Sequence, residues 1–133
     1  MDIWRPGDRP TQKSSNAYFT GDVWQDPIVT VPEPGRLAAV SVRFEPGART
    51  FWHTHPLGQT LHVTQGCGRV ALRGAAPQII RAGDTVFIPA GIEHWHGAGP
   101  DTAMTHIAMQ EAENGSVIDW LEEVNDADYT MAV

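Results

Sequence analysis

Residues 47–66 read G-A-R-T-F-W-H-T-H-P-L-G-Q-T-L-H-V-T-Q-G. The stretch places His53 and His55 two apart and Gln59 four residues further on. Side chains of an extended chain alternate between its faces. A strand over Thr50–His55 therefore puts Phe51, His53 and His55 on one face, and two imidazoles side by side are half of a metal site. Gln59–Gln65 alternates as well, with Gln59, Leu61 and Val63 opposite Thr60, His62 and Thr64. The apolar face belongs inside, so Gln59 points inward with it.

The same parity organises the chain on both sides. Leu37–Glu45 carries Val40, Val42 and Phe44 on one face and Ser41, Arg43 and Glu45 on the other, the pattern of a half-buried antiparallel strand. Glu93–Gly97 puts His94 and His96 together, and Thr102–Gln110 aligns Met104, His106, Ala108 and Gln110. Five of the six histidines can face one interior, with His62 outside. Turn signals separate the short strands: Val31–Gly35, Pro46-Gly47, Pro56-Leu57-Gly58, a hairpin turn at Gly66-Cys67-Gly68, Gly74–Pro77, Ala82–Asp84 and Pro89–Gly91. Short strands at this spacing predict an all-β jelly-roll barrel with one ligand-sized interior.

At the ends the pattern changes. Residues 1–16, with Pro6 and Pro10, read as an exposed N-terminal arm, leaving 17–133 as a single domain. Residues 17–31 read as two short strands broken at Gly21 and Pro27. Ser116–Asp119 fits a helix-capping box, and Val117, Trp120, Leu121 and Val124 recur at helical spacing, which predicts a short amphipathic C-terminal helix. Trp52, Trp95 and Phe87 are expected to pack outward, against a neighbouring sheet or subunit.

Composition narrows the partners. A chain of 133 residues suits one core, and 41% hydrophobic with 19% charged residues excludes a disordered polyelectrolyte. The net charge of −7 disfavours nucleic acid and anionic membrane, since both are polyanions. Cys67, the one cysteine, has no intramolecular disulfide partner and is expected to be inert. The opening M-D-I-W-R-P-G-D-R-P lacks the basic and apolar regions of a signal peptide, so a cytoplasmic location is expected.

Buried imidazoles need something to pair with their lone pairs, and a divalent cation does so. His53, His55, Gln59 and His94 make a neutral donor set of three imidazoles and one amide oxygen. With no carboxylate to cancel its charge, a metal there should be a stronger Lewis acid and a better anion site, though less tightly held. Imidazole and oxygen ligation suits Mn, Fe, Co, Ni, Cu or Zn, and the spacing does not choose among them. His106 is either a general base or a hydrogen-bonded structural histidine; Gln110 lies near it, and His96 is read as structural or as lining the pocket rim.

The spacing resembles a known family. Residues 47–66 are similar to the first cupin motif, G-x5-H-x-H-x3-E-x6-G, with Gln59 where most cupins have Glu. Residues 83–94 resemble the second, G-x5-P-x-G-x-x-H, through Gly83, Pro89, Gly91 and His94; Ala98 stands where that motif usually ends in Asn. The runs at 45–61, 94–98 and 102–111, with F-T-G at 19–21, D-P at 26–27 and D-W at 119–120, look like the bacterial cupin-type hydroxynitrile lyases. The resemblance implies a manganese-dependent enzyme that splits or forms cyanohydrins. It implies His53, His55, Gln59 and His94 as metal ligands, and His106 as pocket base or hydrogen-bond partner. Val42 and Gln110 would line the substrate space. It also implies a homodimer built by N-terminal strand exchange, which would give Tyr18–Val31 a place to dock. Two other readings stand beside this one: a cupin dioxygenase resembling quercetin dioxygenase, and a non-catalytic metal-binding cupin.

Overall fold

The alternating stretches form the strands that their parity requires. The computed structural model describes residues 1–133. In chain order the strands are β1 (Gln12–Lys13), β2 (Phe19–Thr20), β3 (Val23–Thr30), β4 (Leu37–Phe44), β5 (Arg49–Thr50), β6 (His53–Thr54), β7 (Gln59–Leu72), β8 (Gln78–Arg81), β9 (Thr85–Ile88), β10 (His94–Ala98), β11 (Met104–Glu111) and β12 (Asp119–Trp120). One short helix, α1 (Asp126–Tyr129), follows. The fold is all-β, with a tiny C-terminal helix as expected, though not where the spacing put it.

Two antiparallel layers share β7. One runs β1-β3-β4-β11-β7, with β9 beyond. The other runs from the second half of β7 through β10 and β5 to β2, with β8 on the far side, β6 beside β10 and β12 beyond β6. Inward parity survives pairing. His106 lies between Val42 and Val63, Ala108 between Val40 and Leu61, and Gln110 opposite Gln59. Phe19, Val23, Val42, Phe44, Leu61, Val63, Ile88, Met104 and Ala108 belong to the buried cluster between the layers. Burying such side chains stabilises by about 1.5–3 kcal/mol each.

Four expectations need correction. Gly66-Cys67-Gly68 is not a hairpin turn. β7 runs through it and bends from one layer into the other at Gly66, whose φ is +78°. A Cβ there would stand 2.0 Å from the Ala103 carbonyl oxygen, so glycine serves close approach as well as the bend. Pro27 does not break its strand; it sits inside β3 at a register shift, where a missing N–H is tolerated. The strand over Thr50–His55 is interrupted at Phe51-Trp52.

The fourth correction concerns residues 116–124, which form no helix and carry the short strand β12. Asp119 and Trp120 pair with Thr54 and His53, and reciprocal bonds between Trp52 and Leu121–Glu122 continue the ladder (each 2.9 Å). The helical spacing has another origin. Trp120 packs toward the main core, while Val124 enters a second buried cluster with Trp52, Ala71, Trp95 and Tyr129. Trp52 and Trp95 are thus covered by the chain's own C-terminal segment, whereas Phe87 stays exposed. The helix begins only at Asn125, whose side chain caps the Asp128 amide.

Candidate metal centre

β6 and β10 lie side by side with His53 directly opposite His94, and their ring centroids are 4.2 Å apart. His55 follows β6, with its ring 5.1 Å from His53 and 5.5 Å from His94. His96 shares the inward face of β10, and Gln59 opens β7. None of these five is more than 4% exposed. The ring nitrogens of His53, His94 and His96 lie within 4.8 Å of one another, a spacing that one cation can span.

Hydrogen bonds decide which nitrogen of each ring faces inward. Nδ1 of His53 meets the Phe51 carbonyl at 2.8 Å, Nδ1 of His94 that of Ile92 at 2.8 Å, and Nδ1 of His55 that of Val117 at 2.6 Å. A carbonyl only accepts, so each Nδ1 carries the proton and each Nε2 presents a lone pair. Gln59 is oriented the same way. Its amide nitrogen donates to Gln110 Oε1 at 3.1 Å, which turns Oε1 toward Nε2 of His94 at 3.0 Å.

That last contact tests whether the residues fit a metal. Both atoms present lone pairs, so as neighbours at 3.0 Å they repel unless a cation sits with them. Nε2 of His55 is buried without any partner, as is Nε2 of His96. Orphaned buried acceptors are costly, and a cation satisfies several at once. The donor set therefore fits a divalent ion.

Burial also keeps the cluster neutral. Desolvation pushes His94 down to about 4. It holds His53 well below its ordinary value, helped by the neighbouring His94, and lowers His55. His96 is likewise well below, by desolvation and then by His106, and His106 is pushed down to about 4 by desolvation.

Three of the imidazoles border a cavity of about 110 Å³, and His94 stands just outside its lining. His53, His55, Gln59 and His96 line it, as do the expected pocket residues Val42 and Gln110. His106 does not reach the cavity wall. It stands behind His96, with Nε2 2.9 Å from Nδ1 of His96. Sequence reasoning missed Phe19, Phe44, Thr50 and Trp120, which also line the space. Trp120 packs 5.0 Å from the His53 ring and 5.4 Å from Phe19. The D-W pair at 119–120 was visible as a likeness, but helical spacing hid its role. A larger surface cleft, about 1030 Å³, lies between the loops at 31–37 and 112–117, but no histidine lines it. The histidine cluster opens onto the smaller cavity alone of the two.

The family described as Cupin domain matches residues 40–108. The chain is 51% identical over 129 residues to a protein of Granulicella tundricola named (R)-mandelonitrile lyase, covering 97% of this chain and 98% of that one. A crystal structure of a cupin-like protein from Thermotoga maritima superposes with a TM-score of 0.85 at 40% identity, covering 97% of this chain and 95% of that one. A cupin-2 domain from Rhodospirillum rubrum, 19% identical over 96% of this chain and 82% of its own, superposes with a TM-score of 0.72 and supports the fold alone.

Proposed function

The chain belongs to the cupin family, and from that premise we propose that it is a metal-dependent lyase of the hydroxynitrile type, cleaving or forming cyanohydrins. The observation that carries this reading is the facing pair of acceptors, Gln59 Oε1 and His94 Nε2, 3.0 Å apart in a donor set without a carboxylate. The 51% identity to the mandelonitrile lyase over nearly the whole chain supports the same reaction class.

His53, His55, Gln59 and His94 would hold the ion, with manganese the first choice among Mn, Fe, Co, Ni, Cu and Zn. When bound, the ion supplies a Lewis-acid centre whose charge no carboxylate cancels, suited to an alkoxide or to cyanide. The chain's own residues do the rest. Val42, Phe44, Ala108 and Trp120 keep the cavity apolar and exclude water. The hydroxyl proton of the cyanohydrin passes to Nε2 of His96, which borders the cavity and has no other partner. His96 shares the charge through Nδ1 with Nε2 of His106, so the base role expected of His106 is exerted by the pair. The carbon–carbon bond then breaks, the carbonyl forms, and cyanide leaves with the proton returned to it. With its Nδ1 proton donated to Nε2 of His106, His96 keeps a lone pair on Nε2, and it is left out of the ligand set because that lone pair takes the proton.

The test is mandelonitrile cleavage, followed by aldehyde absorbance, with metal content measured alongside. The metal-loaded protein should release aldehyde, and the stripped protein should not until it is reloaded. His106→Ala should lose most of the rate while keeping its metal; full rate in that variant would remove the pair from the mechanism. A loaded protein that releases no aldehyde, or that instead consumes oxygen with a phenolic substrate, would overturn the lyase reading in favour of a dioxygenase or a binding role.

A further inference from the structure

The three imidazoles share one tautomer, but the carbonyls that set it differ in origin. For His53 and His94 the acceptor lies two residues upstream, in Phe51 and Ile92. These are local bonds, formed with the loop that carries the ligand. For His55 the acceptor is Val117, 62 residues away in the C-terminal segment. The same segment pairs Trp120 with the His53 backbone and places the indole 5.0 Å from the His53 ring. It therefore touches two of the three imidazoles while carrying no histidine of its own.

The segment is anchored at its far end. The guanidinium of Arg49, 6% exposed, donates to the Val124 carbonyl at 2.9 Å and to Asp126 at 3.0 Å, and stacks 4.3 Å above the Tyr129 ring. Arg69 donates to the Tyr129 carbonyl at 3.0 Å, and the Tyr129 hydroxyl donates to the Ala98 carbonyl at 2.8 Å. Tyr129 thus pins the segment onto β5 and β10, the strands next to the site.

We propose that residues 117–129 form a strap that is a working part of the metal site. Val117 sets His55 as a ligand, and Arg49 and Tyr129 act as positioning residues that hold the strap in place. The inference rests on the metal-site reading above. Without the Val117 carbonyl, the His55 proton is free to sit on Nε2, and a protonated nitrogen cannot ligate. A docked strap thus raises metal affinity, and by linkage bound metal holds the strap down.

Hydrogen exchange on the full-length chain tests this without a variant. Adding Mn(II) to metal-free protein should slow exchange in peptides covering 117–129 and at the Trp52 amide, which donates to Glu122, with β3 as the unchanged reference. Tyr129→Leu should weaken Mn(II) affinity about tenfold, the low end for losing a group that orients a ligand. Tyr129→Phe, which keeps the ring between the two arginines, should restore most of it. Metal uptake with unaltered exchange in the strap would overturn the proposal, as would a folded Tyr129→Leu that binds Mn(II) like the parent. If Tyr129→Leu does not fold, exchange on the parent protein decides. A parent protein that takes up neither Mn(II) nor Zn(II) would instead remove the metal reading, and the strap's role with it.

Discussion

At Gln59 one atom separates two kinds of metal site. Its amide oxygen faces His94 and its amide nitrogen is tied to Gln110, so the side chain is held in one orientation. Gln59→Glu would put a full negative charge in that place. Metal should then bind more tightly, and cleavage of mandelonitrile should slow by on the order of tenfold or more, because the anionic ligand cancels charge needed by the alkoxide. Equilibrium dialysis and steady-state rates check both halves; tighter metal with an unchanged rate would show that the charge is not what the reaction uses. His106 makes a prediction about stability. Its value falls from the ordinary 6.5 to about 4 on burial, so the folded protein resists a proton that the unfolded chain accepts. Stability from this group is intact above pH 6.5 and is lost as pH falls toward 4, by about 3 kcal/mol in all. Urea midpoints of metal-free protein should therefore drop between pH 7 and pH 4.5, and less steeply in His106→Leu. The histidines themselves were legible in the sequence, because H-x-H and strand parity are local patterns. His106's place behind His96, and the roles of Phe19, Thr50 and Trp120, were not. Those come from strands distant in the chain that meet only when the layers close, and no ligand-like spacing marks them.

β7 shows why a strand can hide behind glycines. Gln59, Leu61 and Val63 alternate cleanly and were readable, and so were the matching faces of β4 and β11, because each strand is buried on one face only. The run Gly66-Cys67-Gly68 has the composition of a turn, yet its glycines let the backbone of one continuous strand pass close to Ala103 and Gly97. Gly66→Ala should cost more than about 2 kcal/mol, combining a left-handed φ with a collision against backbone. Gly74→Ala is the control: its φ is +81°, but nothing lies within 4 Å of the added carbon, so about 1 kcal/mol is expected. Chemical denaturation of the two variants should separate conformational strain from close approach; equal costs would make the contact at Ala103 irrelevant. The C-terminal segment misled in the opposite sense. Its apolar spacing mimics a helix because Trp120 and Val124 serve two different buried clusters, and periodicity records burial without saying against what.

For the whole molecule, the outer edge of β3 bears on assembly. Along its inner side β3 pairs with β4 from Val23 to Thr30, but on the outer side it meets Gln12 and Lys13 of β1, the Ser14 amide at Val23 and the Arg9 guanidinium at the Ile28 carbonyl. Beyond Gln25 no strand pairs with that edge, and such an edge invites another strand. Close to it in the chain stand exposed apolar side chains, Ile3, Trp4 and Tyr18, each at least 44% exposed. We expect a homodimer in which the N-terminal strands of two copies complete each other's layers. Light scattering should give twice the chain mass of 14.5 kDa, and deletion of residues 1–16 should return a single-chain mass. Salt supplies an independent check on the force involved. Each chain carries a net charge of −7, so two copies repel over roughly 30 Å at 10 mM salt and over only about 8 Å at 150 mM. If apolar contact and strand pairing drive association, the dimer should strengthen as salt rises. If ion pairs drove it, the dimer would weaken, and the strand-exchange account would have to give way to a charged interface elsewhere on the barrel.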